Sequence, residues 1–233
     1  MAVAIVTGAS KGLGRALAVA LARQGWDLVL DARTGPVLEE AAREVRAHGT
    51  RVVALRGDVT DGWHRAALVA AARELGGLDL VVGNASALGA EPLVRLEALP
   101  LDGLRAALET NVVGALGLVQ EALPLLRASG AGAVVVVSSD AAVEAYGTWG
   151  GYGASKAALD RLAAVLAVEE PGLRVWAVDP GDMRTDLYRA AVPADDDSGR
   201  PLPESVVPAF LRLLARRPAS GRYVAPALLE VDA

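Results

Sequence analysis

The sequence predicts a single α/β domain: a doubly wound parallel sheet of about seven strands with helices on both faces. Two observations carry the prediction. Short apolar runs alternate along the chain with Ala-, Leu-, Arg- and Glu-rich segments of helical period. The apolar runs are mostly continuous rather than alternating, as parallel strands buried on both faces require. With 233 residues, 53% of them hydrophobic, the chain can bury one sizeable core. No internal repeat or domain boundary is visible.

Six runs read as strands: Val3–Val6, Leu28–Leu30, Val52–Leu55, Leu78–Val82, Val134–Val137 and Val175–Val178. Helical patterns fill the spaces between and after them, at Gly12–Gln24, Pro36–His48, Asp61–Leu75, Leu101–Arg127, Tyr152–Glu169 and Pro203–Arg217. Repeating strand–helix units of this kind imply right-handed crossovers. The stretch Val192–Pro203 departs from the pattern. Asp195, Asp196 and Asp197 are followed by Ser198, Gly199 and prolines, which cannot continue a helix. It reads as a solvated connector or, within about 186–205, as part of a substrate loop.

Composition removes several function classes. There is no cysteine, so disulfides, thiolate catalysis and cysteine–zinc sites are excluded. His48 and His64 are the only histidines, too few for a multi-histidine metal site. A net charge of −5 argues against a nucleic-acid binder or a polybasic membrane-surface protein. No signal peptide and no apolar run of membrane-spanning length are seen, so the expectation is a cytoplasmic protein. Arginine supplies almost all positive charge, and the only lysines, Lys11 and Lys156, both fall inside the motifs below.

The first strand runs into Thr7-Gly8-Ala9-Ser10-Lys11-Gly12-Leu13-Gly14 and then a helix. Glycines allow a tight turn and close backbone approach. A helix N-terminus offers unpaired N–H groups and a positive dipole end, so the turn suits a dinucleotide pyrophosphate. The second strand bears on the choice of cofactor. In Asp27-Leu28-Val29-Leu30-Asp31-Ala32-Arg33, counting from Gly25 puts Ala32 where an NAD site holds an acid. Arg33 then follows and can fork onto a 2′-phosphate, with Lys11 as a second cation. The competing register puts Asp31 at that position and favours NAD. The first register is preferred, and NADP(H) is the expected cofactor.

Tyr152-Gly153-Ala154-Ser155-Lys156 places a phenol and an ammonium four residues apart on a helical run, where they share a face. A free phenol is a poor acid–base group at neutral pH, with a pKa of about 10. A nearby cation favours the phenolate. Upstream, the strand Val134–Val137 ends in Ser138-Ser139, and strand ends of open parallel sheets are where ligands bind. A Ser139 hydroxyl there can donate to a developing alkoxide.

With these motifs in order, the chain resembles the classical short-chain dehydrogenase/reductase family from about Ala2 to Asp186. The matching elements are the glycine turn, Asp58-Val59, Asn84-Ala85, Asn111 in the long central helix, Ser139, Tyr152 with Lys156, and Pro180-Gly181 leading to Thr185. The resemblance implies a Rossmann-type fold and hydride transfer between nicotinamide and a carbonyl or secondary alcohol. It implies Tyr152 as general acid in reduction and base in oxidation. Lys156 would bind the nicotinamide ribose and lower the tyrosine pKa, and Ser139 would orient the carbonyl oxygen. Asn111 would hold a water that links Lys156 to a proton relay. Asp58 and Val59 would flank the adenine, and Asn84 and Ala85 the ribose. Pro180, Gly181, Met183 and Thr185 would hold the carboxamide. Asp58 and Thr185 also read as helix caps.

Two departures from the family stand out. The usual Asn-Asn-Ala-Gly is here Gly83-Asn84-Ala85-Ser86, which removes a side chain that ties the central strands and adds one near the ribose. The chain is also somewhat short for the family, and the shortening is expected after Thr185, in the substrate region. Asp140, Val143, Tyr146, Trp149, Met183, Leu187 and Tyr188 are expected pocket walls, largely apolar and aromatic, suiting a medium-sized hydrophobic carbonyl. The resemblance further implies a homodimer or homotetramer packed through Leu101–Arg127 and Tyr152–Glu169, with Gly114, Gly117, Gly153, Ala157 and Ala158 allowing close helix approach. The rival expectation is a non-catalytic NADP(H)-binding sensor or regulatory protein on the same fold.

Overall fold

Seven parallel strands form one sheet in the order β3-β2-β1-β4-β5-β6-β7 in this computed structural model, which describes residues 1–230. The strands are β1 (Val3–Val6), β2 (Asp27–Ala32), β3 (Val52–Arg56), β4 (Leu80–Gly83), β5 (Ala133–Val137), β6 (Arg174–Asp179) and β7 (Gly221–Val224). β1, β2, β4 and β5 are buried throughout, matching their continuous apolar sequences. β7 was not among the apolar runs. Its residues alternate between half-buried and exposed, and Arg222 sits in its middle, so it carries no apolar signal.

Strand periodicity divides the core. Ala4 and Val6 of β1 face one layer, made by α1 (Gly12–Arg23), α2 (Gly35–Arg46) and α8 (Pro203–Arg216). Val3 and Ile5 face the other, made by α3 (Gly62–Glu74), α5 (Ala115–Ala128) and α6 (Gly150–Glu169). α4 (Leu101–Leu108) leads into the second layer, α7 (Asp186–Ala191) follows β6, and α9 (Ala225–Glu230) follows β7.

The predicted helix over 101–127 is not continuous. Between α4 and α5 lies a π-helical turn, Glu109–Gly114, with Asn111 inside it. Such turns insert one extra residue into the ladder and occur often at functional sites. Gly114 allows close packing within the chain: a Cβ there would lie 3.0 Å from the Val59 carbonyl oxygen. The same holds at Gly117, which faces the Arg65 guanidinium, and at Gly153, which faces the Ala141 carbonyl. Residues 192–202 are irregular, as predicted, but well cross-linked. Arg200 bridges Asp182 and Asp195, and the Tyr188 hydroxyl donates to Asp195 at 2.6 Å.

All strands are parallel, so their C-terminal ends open on one edge. The order reverses between β1 and β4, which leaves a crevice at the ends of these two strands.

Candidate active site

A cavity of about 500 Å³ runs along that edge. It is walled by the glycine turn, the loops after β4 and β5, the start of α6 and the segment Asp179–Ala191. A second cavity of about 230 Å³ continues past Ser10, Arg33, Asp58 and Val59. Gly8, Lys11, Arg33, Ala85 and Ser86 line both.

The glycine turn is built for close approach. Gly12 has φ +51°, a left-handed conformation that favours glycine. A Cβ on Gly14 would lie 2.4 Å from the Gly8 carbonyl oxygen and 2.5 Å from the Asn84 amide nitrogen. Leu13 is buried and anchors the first turn of α1. Asn84 is expected on the ribose side, yet its amide donates to the Thr7 carbonyl at 2.9 Å and the Gly8 carbonyl at 3.3 Å. It thereby supplies the tie between β1 and β4 that position 83, a glycine, cannot. Ala85 is held by its N–H, which donates to Thr7 Oγ1 at 3.0 Å.

β2 ends at Ala32, and the exposed Arg33 follows at the junction of the two cavities. Asp31, which also lines the second cavity, is engaged by a histidine. Its carboxylate meets His64 Nε2 at 2.7 Å and is 2% exposed. Burial raises its pKa against the pull of His64. Lys11 lines both cavities with Arg33, and its ammonium pairs with Asp186 on α7 at 2.9 Å. The Asp58 carboxylate accepts from the Thr60 N–H and hydroxyl, at 3.0 and 2.9 Å. Burial opposes its charge, but these donors and Arg33 outweigh it and lower the pKa. The cap of α3 is Asp61, not Asp58. Val59 is buried, and its carbonyl accepts from Arg65.

At the other end, Tyr152 and Lys156 are 6% and 1% exposed. The Lys156 ammonium lies 5.5 Å from the Tyr152 ring centroid and donates to the Val137 carbonyl at 2.7 Å. Burial pushes its pKa down to about 8. Burial also raises the phenol above its ordinary value, and Asp140 and Asp179 add to this, while the Ser86 and Ser139 hydroxyls favour the phenolate. In the chain alone, burial and the two aspartates outweigh the two hydroxyls and favour the protonated phenol.

Ser139 Oγ accepts from the Ala141 N–H at 3.2 Å and donates to Asp140 at 3.0 Å. Asn111 is buried and makes three bonds: from the Ala87 N–H (2.8 Å), to the Ala87 carbonyl (2.9 Å) and to Ser155 Oγ (2.8 Å). Ser155 in turn donates to the Tyr152 carbonyl at 2.7 Å. Gly181 has its N–H on Asp179, and Thr185 caps α7 by accepting from the Tyr188 N–H. Pro180 and Met183 line the cavity between them.

Of the expected walls, Asp140, Trp149, Met183, Leu187 and Tyr188 line the large cavity, and Tyr146 a neighbouring one. Val143 lies outside both and is 61% exposed. The wall is more acidic than expected, with Glu91, Asp140 and Asp182 facing it. Sequence reasoning passed over Asp182 and Arg200. The signal available was their position flanking α7 and the irregular stretch.

The geometry fits a nicotinamide dinucleotide. The glycine turn leaves no room for a side chain at Gly14, and the cavities extend from Arg33 to Tyr152. The short chain dehydrogenase family model matches residues 2–196, and the chain belongs to that family. It is thus an oxidoreductase of the short-chain dehydrogenase/reductase type.

The cis-4-hydroxycyclohexanecarboxylate dehydrogenase of Sinomonas cyclohexanicum is 37% identical, covering 99% of this chain and 94% of its own. A short chain dehydrogenase of Shigella flexneri solved with NADP superposes with TM-score 0.90 at 29% identity, covering 97% of both chains. An NAD+-bound xylitol dehydrogenase superposes with TM-score 0.74 at 30% identity, covering 78% of this chain and 70% of its own. Among the described residues, no helix is long and apolar enough to cross a membrane, and no metal-ligating cluster occurs.

Proposed function

We propose that this chain is an NADP(H)-preferring enzyme that interconverts a carbonyl compound and its alcohol, with Tyr152 as the proton-transfer group. The carrying observation is the burial of Tyr152 and Lys156 together at the end of β5, in one cavity with Ser139. When bound, the nicotinamide supplies or accepts the hydride. Every other part of the work falls to the chain. A buried phenol held protonated suits an acid that donates to a carbonyl oxygen during reduction. The Lys156 cation beside it favours the phenolate left behind. Ser139 turns its hydroxyl from Asp140 to the substrate oxygen and supports the developing charge. Asn111 holds the loop after β4 against α6 through Ala87 and Ser155, fixing the backbone beneath Tyr152.

The preference for NADP(H) rests on Ala32 at the strand end, Arg33 in the cavity wall and the engagement of the Asp31 carboxylate by His64. The Shigella flexneri neighbour carries NADP, whereas the xylitol dehydrogenase carries NAD+. A cytoplasmic homodimer or homotetramer through α5 and α6 belongs to the same reading, supported by the exposed Val113, Val165 and Val168 on this layer.

The test follows NADPH consumption against aldehydes, ketones, quinones and 3-oxo esters, with the Tyr152→Phe protein beside the wild type. Turnover in the wild type, reduced about 100-fold or more in Tyr152→Phe with NADPH binding retained, is the expected result. Near-normal turnover in the variant removes Tyr152 from the role.

A further inference from the structure

Position 86 is where the family pattern carries glycine and this chain carries serine. The backbone on either side is pinned. Asn84 and Ala85 are fixed to Thr7 and Gly8, and Ala87 is held at both its N–H and its carbonyl by Asn111. The side chain between these anchors has little freedom to move away. Its hydroxyl oxygen is shielded from solvent and makes no hydrogen bond of normal geometry. A buried hydroxyl without a partner is uncommon and points to a group that completes it in the working state. Ser86 lines both cavities and shares the larger with Tyr152 and Ser139.

We propose that Ser86 donates a hydrogen bond to the Tyr152 phenolate, leaving the Ser139 proton for the substrate oxygen. This rests on Tyr152 being the proton-transfer group proposed above. The phenolate needs a donor of its own because the surroundings oppose the charge. Asp140 after β5 and Asp179 at the end of β6 both repel a phenolate, and Trp149 packs edge-on against the ring at 5.7 Å between centroids. Lys156 on α6 directs its ammonium to the Val137 carbonyl, and Arg222 on β7 commits its guanidinium to Asp179 and the Ser139 carbonyl. Ser139 is shared, since its proton is on Asp140. Ser86 has no competing acceptor, so its proton is available when the phenol ionises, and in reduction it stabilises the phenolate formed as the proton leaves.

The test labels tyrosine with ¹³C at Cζ and records spectra of the protein with NADP+ bound across pH. The Tyr152 signal is the one missing from Tyr152→Phe. The ¹³Cζ shift responds both to hydrogen bonding at the phenol oxygen and to its ionisation, so it needs no substrate. Ser86→Ala and Ser86→Gly should displace the Tyr152 signal and reduce the phenolate fraction at a given alkaline pH by about threefold to tenfold. Ser86→Thr, which keeps the hydroxyl, should restore it. Alcohol oxidation should show the same displacement in the alkaline rise of kcat/KM. An unchanged Tyr152 signal in Ser86→Ala overturns the proposal. So does weaker NADP+ binding with no change in that signal, which places Ser86 on the ribose alone. If the signal moves as expected while the wild type oxidises no alcohol, the hydrogen bond stands and the proposed reaction falls.

Discussion

Lys11 in the glycine turn and Asp186 at the start of α7 are joined by an ion pair of 2.9 Å. The pair links the phosphate end of the crevice to the segment that closes its substrate end. Both partners are largely exposed, so its contribution to stability is small. Its importance is where it sends the Lys11 charge. Asp186→Asn should free Lys11 for a cofactor phosphate and tighten NADPH by about threefold, with little change in thermal stability. Fluorescence titration with NADPH and NADH reads this, and unchanged affinity for both would mean the pair does not compete with the cofactor.

Arg33 is the cation left at the junction of the two cavities once Lys11 is engaged. Arg33→Ala should weaken NADPH by about tenfold and NADH much less, because only the former offers a 2′-phosphate for a charged hydrogen bond. The ratio of the two dissociation constants is the measurement. Equal weakening of both would remove Arg33 as the discriminating group.

Asn111 satisfies both backbone groups of Ala87 and the Ser155 hydroxyl from a fully buried position. Asn111→Ala leaves those groups without partners and should cost about 3 kcal/mol by chemical denaturation. Activity should fall more steeply than stability, because the loop carrying Ser86 and the carbonyl of Tyr152 lose a shared support. A destabilisation well under 1 kcal/mol would show that water replaces the side chain there.

Lys156 should leave a mark on the pH dependence of folding. Its pKa in the folded protein, about 8, lies below the ordinary 10.5, so between these values the unfolded chain binds more protons. Stability from this group therefore rises with pH across that window. Relative to Lys156→Met, the wild type should gain stability between pH 8 and 10.5. A difference in melting temperature that stays flat over this range would mean the ammonium is not desolvated.

The parts legible in the sequence are those where one physical demand dominates. Buried parallel strands need continuous apolar residues, and β1 to β6 show them. The turn at Gly8–Gly14 needs residues without side chains, and only glycine meets that need. β7 is hidden because it has an arginine in its middle and no apolar run, whereas β3, equally an edge strand and half-buried, keeps Val52–Leu55. The π turn around Asn111 has a helical composition and differs only in its bonding. Direction was also hidden. Nothing in sequence spacing tells that Asp31 would turn to His64, Lys11 to Asp186 or Asn84 to the Gly8 carbonyl. Each depends on residues brought close only by the sheet order.

Arg222, in the middle of β7, grips Asp179 at 3.1 Å, Asp160 at 3.1 Å and the Ser139 carbonyl at 3.0 Å. It thus clamps the loop that carries Ser139, whose hydroxyl is the one proposed to hold the substrate oxygen, from 83 positions later in the chain. Contacts so distant in sequence are slow to form, since the intervening chain must first be ordered. If the proposed reaction holds, a chain emerging from the ribosome has Ser139 unclamped until that strand has docked. The onset of turnover during refolding should then serve as a clock for the arrival of β7.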